Sequence, residues 1–447
     1  MKLYSTNDTT LRADFPTAVF QALPKDRGLY MPVEIPRLPA SFWDALPSMS
    51  LTEIGIAITK NLLGNAISED RIEALVNEAI DFPAPLVTLK RSGYSNSNQF
   101  VLELFHGPSL AFKDFGARFM AGVMNELLAA KGERLVILVA TSGDTGGAVA
   151  AGFHGSEFID VVILYPKGAV SDIQEAQLTT LGGNVTALRV DGTFDDCQAM
   201  VKQAFVDDQL RSEVNISSAN SINISRLIPQ SFYYVEAYRQ WLALGEEKDP
   251  VFCIPSGNFG NLTAGLLAER MGLPVRKFIA ATNANDTVTR YAESGTYEPR
   301  PSVRTISNAM DVGAPSNFAR MEDLFGSTWN TFKEQVYAVS FDDAATERQM
   351  ASCYAESGGY VLCPHTAVGL LALDQYQREV EDVPGIVLGT AHPGKFLPDV
   401  ERVLACKVDL PEALETVRHL PRVMKDIGFD YDAMKAHVLQ VWASRKS

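Results

Sequence analysis

The chain has 447 residues, more than a single simple core usually organises, so two or three domains are expected. Hydrophobic residues make up 46% and charged residues 21%, a balance that predicts an ordinary globular protein. The formal net charge of −15 argues against sequence-independent nucleic-acid binding, which requires a positive surface. An anionic ligand must therefore be attracted locally, against the overall negative field.

The sequence also gives no sign of export, membrane insertion or metal binding. The opening MKLYSTNDTTLRADF lacks the apolar stretch of a secretory signal, and the longest aliphatic runs are far shorter than the ~20 residues of a membrane helix. Five cysteines occur without C-x-x-C spacing and six histidines without H-x-x-x-H spacing, which predicts neither a disulfide framework nor a metal site. We expect a cytoplasmic protein with no metal and no membrane or nucleic-acid partner.

Residues 1–95 are expected to form an N-terminal domain of mixed, mainly helical structure. From Ser50 the sequence SLTEIGIAITKNLL combines a capping box with helical spacing of its apolar residues. The turn-rich stretch RSGYSNSNQ at 91–99 separates this domain from the segments that follow.

The next segment, FHGPSLAFKDFGARFM at 105–120, places Lys113 among Phe112, Phe115 and Phe119. A desolvated amine loses its proton more easily and becomes a nucleophile or a base, so apolar surroundings suit a catalytic lysine. The alternative is a surface lysine whose stem lies along apolar side chains while its amine stays in water. The segment alone leaves both interpretations open, and the loops farther along the chain favour the catalytic one.

Beyond this segment, short aliphatic strands alternate with helical segments. The strands are predicted at 135–140, 161–166, 185–190, 251–255, 277–282 and 385–390. This alternation is typical of an α/β fold with open, mainly parallel sheets covered by helices on both faces. The charged, turn-rich stretch at 244–250 divides the units into two groups, and we expect α/β domains at 96–240 and 241–447 with a ligand cleft between them.

Two loops at predicted strand ends have the composition of anion sites, because a helix N-terminus there presents unpaired N–H groups and a partial positive charge. The first is TSGDTGG, with Thr141, Ser142, Gly143, Asp144 and Thr145. The second is SGNFGN, with Gly257, Asn258, Phe259, Gly260 and Asn261. Their glycines allow the backbone to approach a phosphate or carboxylate closely. The alternative for each loop is an ordinary capped turn.

A third loop, SANSINISR at 218–226, gathers polar side chains next to an arginine that can grip a phosphate with two hydrogen bonds. Its candidate ligands are Asn220, Ser221, Asn223 and Arg226. Alone, a polar loop with one arginine is more often a solvated surface.

The sequence GTAHPGKF at 389–396 nearly matches the phosphate-binding motif G-x-x-x-x-G-K-[ST]. Phe396 replaces the hydroxyl that would hold magnesium, and Pro393 removes one N–H from the phosphate cradle. The glycines elsewhere do not form G-x-G-x-x-G either. We therefore expect neither an ATP site nor a nicotinamide site.

Together these features are what pyridoxal phosphate requires: a lysine for its aldehyde, a cup for its phosphate, and donors for the carboxylate of an amino acid. The third, arginine-bearing loop is surplus for a simple amino acid. It is explained if the substrate carries a phosphate of its own.

The chain resembles the fold-type II family of pyridoxal-phosphate enzymes, and within it the threonine synthase family. The resemblance is carried by ELFHGPSLAFKDFGARFM, ATSGDTGGAVA, NSANSINISRL, PSGNFGNLTAGLLA and GTAHPGKF, which follow one another in the family's order. With shorter matches at both ends, it covers nearly the whole chain.

The resemblance implies a role for each candidate residue. Lys113 matches the Schiff-base lysine, 257–261 the cup for the cofactor phosphate, and 141–145 the loop for the substrate carboxylate. Thr390 matches the hydroxyl residue at the pyridine nitrogen, and the third loop matches the region that binds the substrate phosphate. Related dehydratases carry asparagine near the cofactor's 3′ oxygen where this chain has Asp144, a carboxylate that would need a proton or a counter-charge there.

The implied reaction converts O-phospho-L-homoserine and water into L-threonine and phosphate, with Lys113 moving protons. A serine or threonine dehydratase of the same fold type is one alternative, and it would need no site for a substrate phosphate. A non-catalytic binding or regulatory protein is another, and it would need no Schiff-base lysine. We expect a monomer or a homodimer.

Overall fold

The computed structural model describes residues 1–92, 98–246 and 248–444. The predicted boundary between residues 95 and 96 lies outside the described residues. The strands are β1 Lys2–Ser5, β2 Arg12–Asp14, β3 Tyr30–Pro32, β4 Leu86–Thr88, β5 Gln99–Glu103, β6 Leu135–Ala140, β7 Ile159–Pro166, β8 Val185–Asp191, β9 Ile216–Ser218, β10 Val251–Pro255, β11 Lys277–Thr282, β12 Val336–Ser340, β13 Gly385–Gly389 and β14 Lys425–Gly428.

Helices cover these strands on both sides. They are α1 Phe15–Gln21, α2 Ala40–Ala45, α3 Leu51–Leu63, α4 Glu69–Ala79, α5 Lys113–Ala129, α6 Asp144–Phe153, α7 Asp172–Thr179, α8 Phe194–Ala204, α9 Asp208–Glu213, α10 Ile224–Leu227, α11 Gln230–Ala243, α12 Gly260–Arg270, α13 Thr287–Ser294, α14 Phe318–Leu324, α15 Trp329–Gln335, α16 Asp343–Glu356, α17 Pro364–Glu379, α18 Leu397–Leu404, α19 Glu412–His419 and α20 Tyr431–Ser444.

The N-terminal part combines a small antiparallel sheet, in the order β2-β1-β3, with helices α1 to α4. The capping box at the start of α3 forms as the sequence predicts. Ser50 Oγ accepts a hydrogen bond from the Glu53 N–H at 3.2 Å, and the Glu53 carboxylate accepts one from the Ser50 N–H at 2.7 Å.

The rest of the chain forms two open sheets, which confirms the predicted α/β class. One has the order β14-β8-β7-β6-β9 and is parallel throughout. The other has the order β12-β11-β10-β13-β5-β4 and is parallel except at the β4–β5 pair. Central strands such as β6 are buried along their whole length because helices cover both faces, which explains the uniformly aliphatic β6 sequence LVILVA.

The two sheets exchange segments. Strand β5 precedes the whole first sheet in sequence, yet it pairs with β13 in the second. Strand β14 follows every strand of the second sheet, yet it pairs with β8 in the first. The segments 96–240 and 241–447, which remain a prediction as domains, therefore each give one strand to the other's sheet, and α11 runs through position 240.

An aromatic column connects α5, through α11, to β10 of the second sheet. Phe115 on α5 contacts Tyr233 on α11 with ring centroids 5.3 Å apart, Tyr233 contacts Tyr234 at 5.0 Å, and Tyr234 contacts Phe252 on β10 at 5.1 Å. These four rings are completely buried. The column fixes α5, whose first residue is Lys113, against the rest of the fold.

Among the described residues, no helix combines the length and the apolar character that crossing a bilayer demands. Over the same ranges, no group of three or more His, Cys, Asp or Glu side chains is arranged to hold a metal ion.

Replacing Phe115 with alanine should lower the free energy of unfolding by ~3–5 kcal/mol, because it removes a fully buried ring from this column and leaves a cavity. Urea unfolding followed by tryptophan fluorescence measures the change. Phe429→Ala is the control, since that ring is 59% exposed and its loss should change stability by less than ~1 kcal/mol. Equal effects of the two substitutions would contradict the structural role of the column.

Candidate active site

Lys113 lies at the carboxyl end of β13, where the segment before α5 is tied to the residues after that strand. The Phe112 N–H donates to the Thr390 carbonyl at 2.9 Å, and Ala111 pairs with Ala391 in an isolated β-bridge. Thr390 is 5% exposed, and its hydroxyl makes no hydrogen bond to another described residue. The structure thus brings Lys113 and Thr390 together, as the resemblance implies.

The environment of the Lys113 amine differs in detail from the expectation. Of the three phenylalanines, only Phe112 lies at the amine, with its ring centroid 5.6 Å from Nζ. Phe115 and Phe119 point away and pack on Tyr233 and Phe232 in the core. Because α5 begins at Lys113, residues two and six positions later face other directions. These two rings position the helix and do not enclose the amine.

Desolvation is the main influence on the Lys113 amine and lowers its pKa to about 8. The charges of Lys395 and Arg226 act in the same direction, while the carboxylate of Asp144 opposes them. A lysine with a pKa near 8 supplies a substantial fraction of neutral amine close to neutral pH, which is what a nucleophile or a general base requires.

The loop after β6 carries Asp144. From the sequence, this carboxylate was expected to need a proton or a counter-charge, and the structure shows a counter-charge. Asp144 Oδ1 lies 2.9 Å from Nζ of Lys395, a lysine that is completely buried. Gln174 Nε2 donates to the same oxygen at 2.9 Å. Burial alone raises the pKa of Asp144, but the charges of Lys395 and Lys113 outweigh it and hold that pKa well below its usual range. Asp144 is therefore ionised.

The same loop forms the capped turn that was the alternative interpretation of TSGDTGG, and its role as an anion site remains a prediction. Thr141 Oγ1 accepts hydrogen bonds from the N–H groups of Gly143 and Gly146, at 3.0 and 2.8 Å. Gly143 has a φ of 130°, and a Cβ there would lie 2.5 Å from the Gln174 side chain. Within 141–145, Ser142 and Thr145 keep partial exposure toward a ligand.

The loop after β10 has the geometry of a phosphate cup. None of the main-chain N–H groups of residues 257–261 donates a hydrogen bond to another group in the described chain. Phe259 adopts a left-handed conformation with a φ of 59°, which turns the loop into the start of α12. A Cβ on Gly257 would lie 2.6 Å from the Met310 Cα, so only glycine fits there. These unpaired donors fit the phosphate of pyridoxal phosphate.

The third loop contacts this cup. Asn258 Nδ2 donates to Ser221 Oγ at 2.7 Å. Asn317 Nδ2 donates to Ser221 Oγ at 3.1 Å and to the Asn258 carbonyl at 3.0 Å. The completely buried Arg320 donates to the Ser221 and Ile222 carbonyls from below. The predicted cofactor-phosphate and substrate-phosphate loops therefore form one continuous polar region.

Within the third loop, the candidate ligands differ in how many of their polar groups are already hydrogen-bonded within the protein. Asn223 is completely buried, its amide donates to the Val19 and Ser218 carbonyls, and its oxygen accepts from Ser225. It therefore has no group left for a ligand. Asn220 Nδ2 donates to the Ala140 carbonyl at 3.1 Å.

Arg226 lies behind the site, against α5. Its Nη1 donates to the Ala219 carbonyl, while its Nε is buried and has no hydrogen-bond partner in the described part of the chain. A Cβ on Gly116 would lie 2.7 Å from that Nε. Burial lowers the pKa of Arg226 to about 10. The guanidinium remains charged near neutral pH and contributes a positive charge close to Lys113.

Sequence reasoning missed four residues of this site: Lys395, His365, Asn317 and Arg320. Lys395 was present in the GTAHPGKF motif but was discarded with the ATP site. His365 is buried, its Nε2 accepts from the Ala309 N–H at 3.1 Å, and burial lowers its pKa to about 4, so the ring is neutral. Asn317 lies in SNAMDVGAPSNF, which matches the family, whereas Arg320 carries no sequence signal of its role.

A cleft of about 1290 Å³ adjoins the phosphate-binding end of the site. Asn220 and Asn258 belong to its lining, and Lys113 does not. Six cationic side chains and two carboxylates line it: Lys25, Arg27, Lys131, Arg134, Lys202 and Arg211, with Glu133 and Asp208. We call it the basic cleft.

Comparison with known families agrees with this geometry. A family model described as pyridoxal-phosphate dependent enzyme matches residues 79–388. The fold and the site therefore define a pyridoxal-phosphate-dependent enzyme. Models described as threonine synthase N terminus and threonine synthase, C-terminal match residues 2–80 and 366–438.

Individual relatives narrow the class. The chain is 43% identical over 442 residues to threonine synthase from Haemophilus influenzae, covering 98% of this chain and 100% of that one. The crystal structure of threonine synthase from Escherichia coli superposes with a TM-score of 0.90 at 41% identity, covering 98% and 100% of the two chains. A pyridoxal-phosphate-bound threonine synthase from Brucella melitensis superposes with a TM-score of 0.89 at 35% identity, with 99% coverage of both.

The chain belongs to the threonine synthase family and is a pyridoxal-phosphate-dependent lyase. The comparisons support this assignment over the dehydratase and the non-catalytic alternatives.

Gly257→Ala should raise the dissociation constant for pyridoxal phosphate at least ~10-fold, which corresponds to ~1.4 kcal/mol. The new Cβ would displace the cup from Met310. Absorbance titration with the cofactor measures the constant. Gly428→Ala is the matched control, because no atom lies within 4 Å of a Cβ there. An unchanged constant for Gly257→Ala would remove this loop from the cofactor site.

Proposed function

We propose that the chain converts O-phospho-L-homoserine and water into L-threonine and phosphate. The observation that carries this proposal is the junction of two phosphate-binding loops at Ser221, close to a lysine of lowered pKa. One loop suffices for the cofactor phosphate, so the second serves a phosphate on the substrate.

Each loop has a proposed role. Lys113 holds the cofactor, residues 257–261 bind its phosphate, and Thr390 contacts its ring nitrogen. The N–H groups and hydroxyls of 141–145 orient the substrate carboxylate, with Ser142 and Thr145 the accessible hydroxyls. Asn220, Ser221 and the charge of Arg226 receive the substrate phosphate. Asn223 supports them by fixing the Ser218 carbonyl.

The reaction breaks the Cγ–O bond of the substrate and forms a Cβ–O bond from water. Bound pyridoxal phosphate supplies an electron-accepting ring that stabilises negative charge at Cα. The neutral Lys113 amine, once released by the substrate, removes the Cα proton and then assists the loss of a proton from Cβ. Phosphate leaves Cγ as Cβ loses its proton, and Cγ is protonated afterwards. The hydroxyl of water then adds at Cβ, the remaining proton of water goes to the released phosphate, and a proton returns to Cα, so that atoms and charges balance.

The direct test follows threonine formation and phosphate release from O-phospho-L-homoserine with the purified holoenzyme. Equal amounts of the two products are expected. Lys113→Ala should abolish both and remove the visible absorption of the lysine-bound cofactor, because no other residue takes over the amine's position. Lys407→Ala is the control, since that side chain is 92% exposed. Release of a keto acid in place of threonine would overturn the proposal.

The basic cleft supports a phosphorylated substrate. Five of its cations are exposed and make no salt bridge with another described residue: Lys25, Arg27, Lys131, Lys202 and Arg211. The Lys131 amine lies 5.0 Å from the centroid of the Phe20 ring. In a chain of net charge −15, this local positive field would draw a phosphate ester toward Asn220 and Asn258.

The double variant Lys202→Gln/Arg211→Gln should lower kcat/KM about ten-fold at low ionic strength and leave kcat unchanged. The difference should fade as salt shortens the Debye length to ~8 Å and below. Steady-state assays across a salt series measure it. Lys90→Gln/Arg348→Gln, which removes the same charge from exposed positions outside the cleft, is the matched control. Identical salt dependence of the two variants would exclude steering by the basic cleft.

A monomer or homodimer in the cytoplasm remains our prediction.

A further inference from the structure

Lys395 has no role in the proposed reaction, although it is completely buried at the edge of the active site. It lies in the short 3₁₀ turn Pro393–Phe396 after β13. Its Nζ donates to the Ser109 carbonyl at 2.7 Å and lies 2.9 Å from Asp144 Oδ1. His392 Nδ1 fixes the turn by accepting from the Gly394 N–H at 3.0 Å. This amine is therefore directed at a carbonyl and a carboxylate.

The carboxylate of Asp144 presents an electrostatic problem for Lys113. An anion next to a desolvated amine favours the ammonium form, which can neither bond to an aldehyde nor accept a proton. Asp144 is the main influence that raises the pKa of Lys113. Asp144 is the first residue of α6, where the helix N-terminus also stabilises the negative charge of its carboxylate.

We infer that Lys395 is a positioning residue for the reaction: by pairing with Asp144, it prevents that carboxylate from forming an ion pair with Lys113 and leaves the Lys113 amine available. This inference rests on the proposed role of Lys113. Two hydrogen bonds fix the geometry of the Lys395–Asp144 pair. Gln174 donates to the same oxygen of Asp144, and the Ser109 carbonyl accepts a hydrogen bond from the Lys395 amine.

Among the described residues, five charged or titratable groups act on Lys113 or lie around it. Asp144 comes from α6, Lys395 from the turn after β13, Arg226 from α10, and His365 from α17. His365 is neutral, so the balance lies between one carboxylate and two cations. The adjacent Asp114 accepts from the Ser109 N–H at 2.9 Å and faces the Lys395 side of the site.

The sign of the effect follows from this balance. Removing the Lys395 charge leaves Asp144 facing Lys113 alone, so the protonated form of the Lys113 nitrogen gains stability and its pKa rises. Removing the Asp144 charge has the opposite effect, because two cations then face that nitrogen. Removing both charges together should nearly cancel. A role confined to packing predicts none of these directions.

The experiment titrates the visible absorption of the bound cofactor in the holoenzyme from acid to alkali. It compares wild type, Lys395→Met, Asp144→Asn, the double variant Asp144→Asn/Lys395→Met, and the exposed control Lys407→Met. The midpoint should rise by about one pH unit in Lys395→Met, a ten-fold change in the protonation ratio. It should fall in Asp144→Asn, lie near the wild-type value in the double variant, and stay unchanged in the control.

An unchanged midpoint in Lys395→Met, or a shift of equal size in the double variant, would overturn the inference. A drop in absorption with no shift would assign Lys395 to packing and overturn it equally. If Lys395→Met does not fold, Asp144→Asn decides: a lowered midpoint supports the inference, and an unchanged one overturns it. The titration needs no turnover, so a failure to make threonine would refute the proposed function and leave this result independent.

Discussion

The active site depends on one lysine, Lys113, whose amine gives up its proton more readily than an ordinary lysine does. Desolvation lowers the pKa of Lys113 to about 8, but the low-dielectric surroundings that do so also strengthen every nearby charge. Asp144 would then hold a proton on the amine. Pairing Asp144 with the buried Lys395 resolves this conflict, because the two charges together present a nearly neutral dipole to the reacting nitrogen.

The architecture explains how residues so distant in sequence reach this nitrogen. The loops after β6, β9, β10 and β13 all lie at the carboxyl ends of parallel strands. Two of these strands belong to each sheet, so the site is assembled between the sheets at the position where α/β folds bind ligands. The aromatic column holds α5 and α11 against β10, and Arg320 ties the third loop to Tyr30 and Asn317, which limits how far the reacting groups can shift.

Much of this was predictable from particular residues. Apolar runs such as 135–140 and 251–255 predicted strands correctly, because a strand that is covered on both faces is mostly apolar. The glycines of 257–261 predicted the cup because only small residues permit its close contacts. Lys395 was missed since its role arises from contacts with Asp144 and Ser109, which lie far away in sequence. Asn223 was predicted as a ligand because asparagine can bind a phosphate, but in the fold its side-chain amide donates to the Val19 and Ser218 carbonyls.

The exchange of strands was also invisible in sequence, because β5 and β14 are short and chain order predicts contiguous units. The exchange also means that strands paired in one sheet are synthesised far apart in time. Arg189 on β8 and Asp426 on β14 form an ion pair although they are 237 residues apart in the chain. During synthesis the β8 edge therefore stays open until the second sheet has been translated. A nascent chain with such an unsatisfied strand edge is exposed to misassociation. Closure of the β8 edge thus depends on residues 425–428, the last of the described strands in sequence.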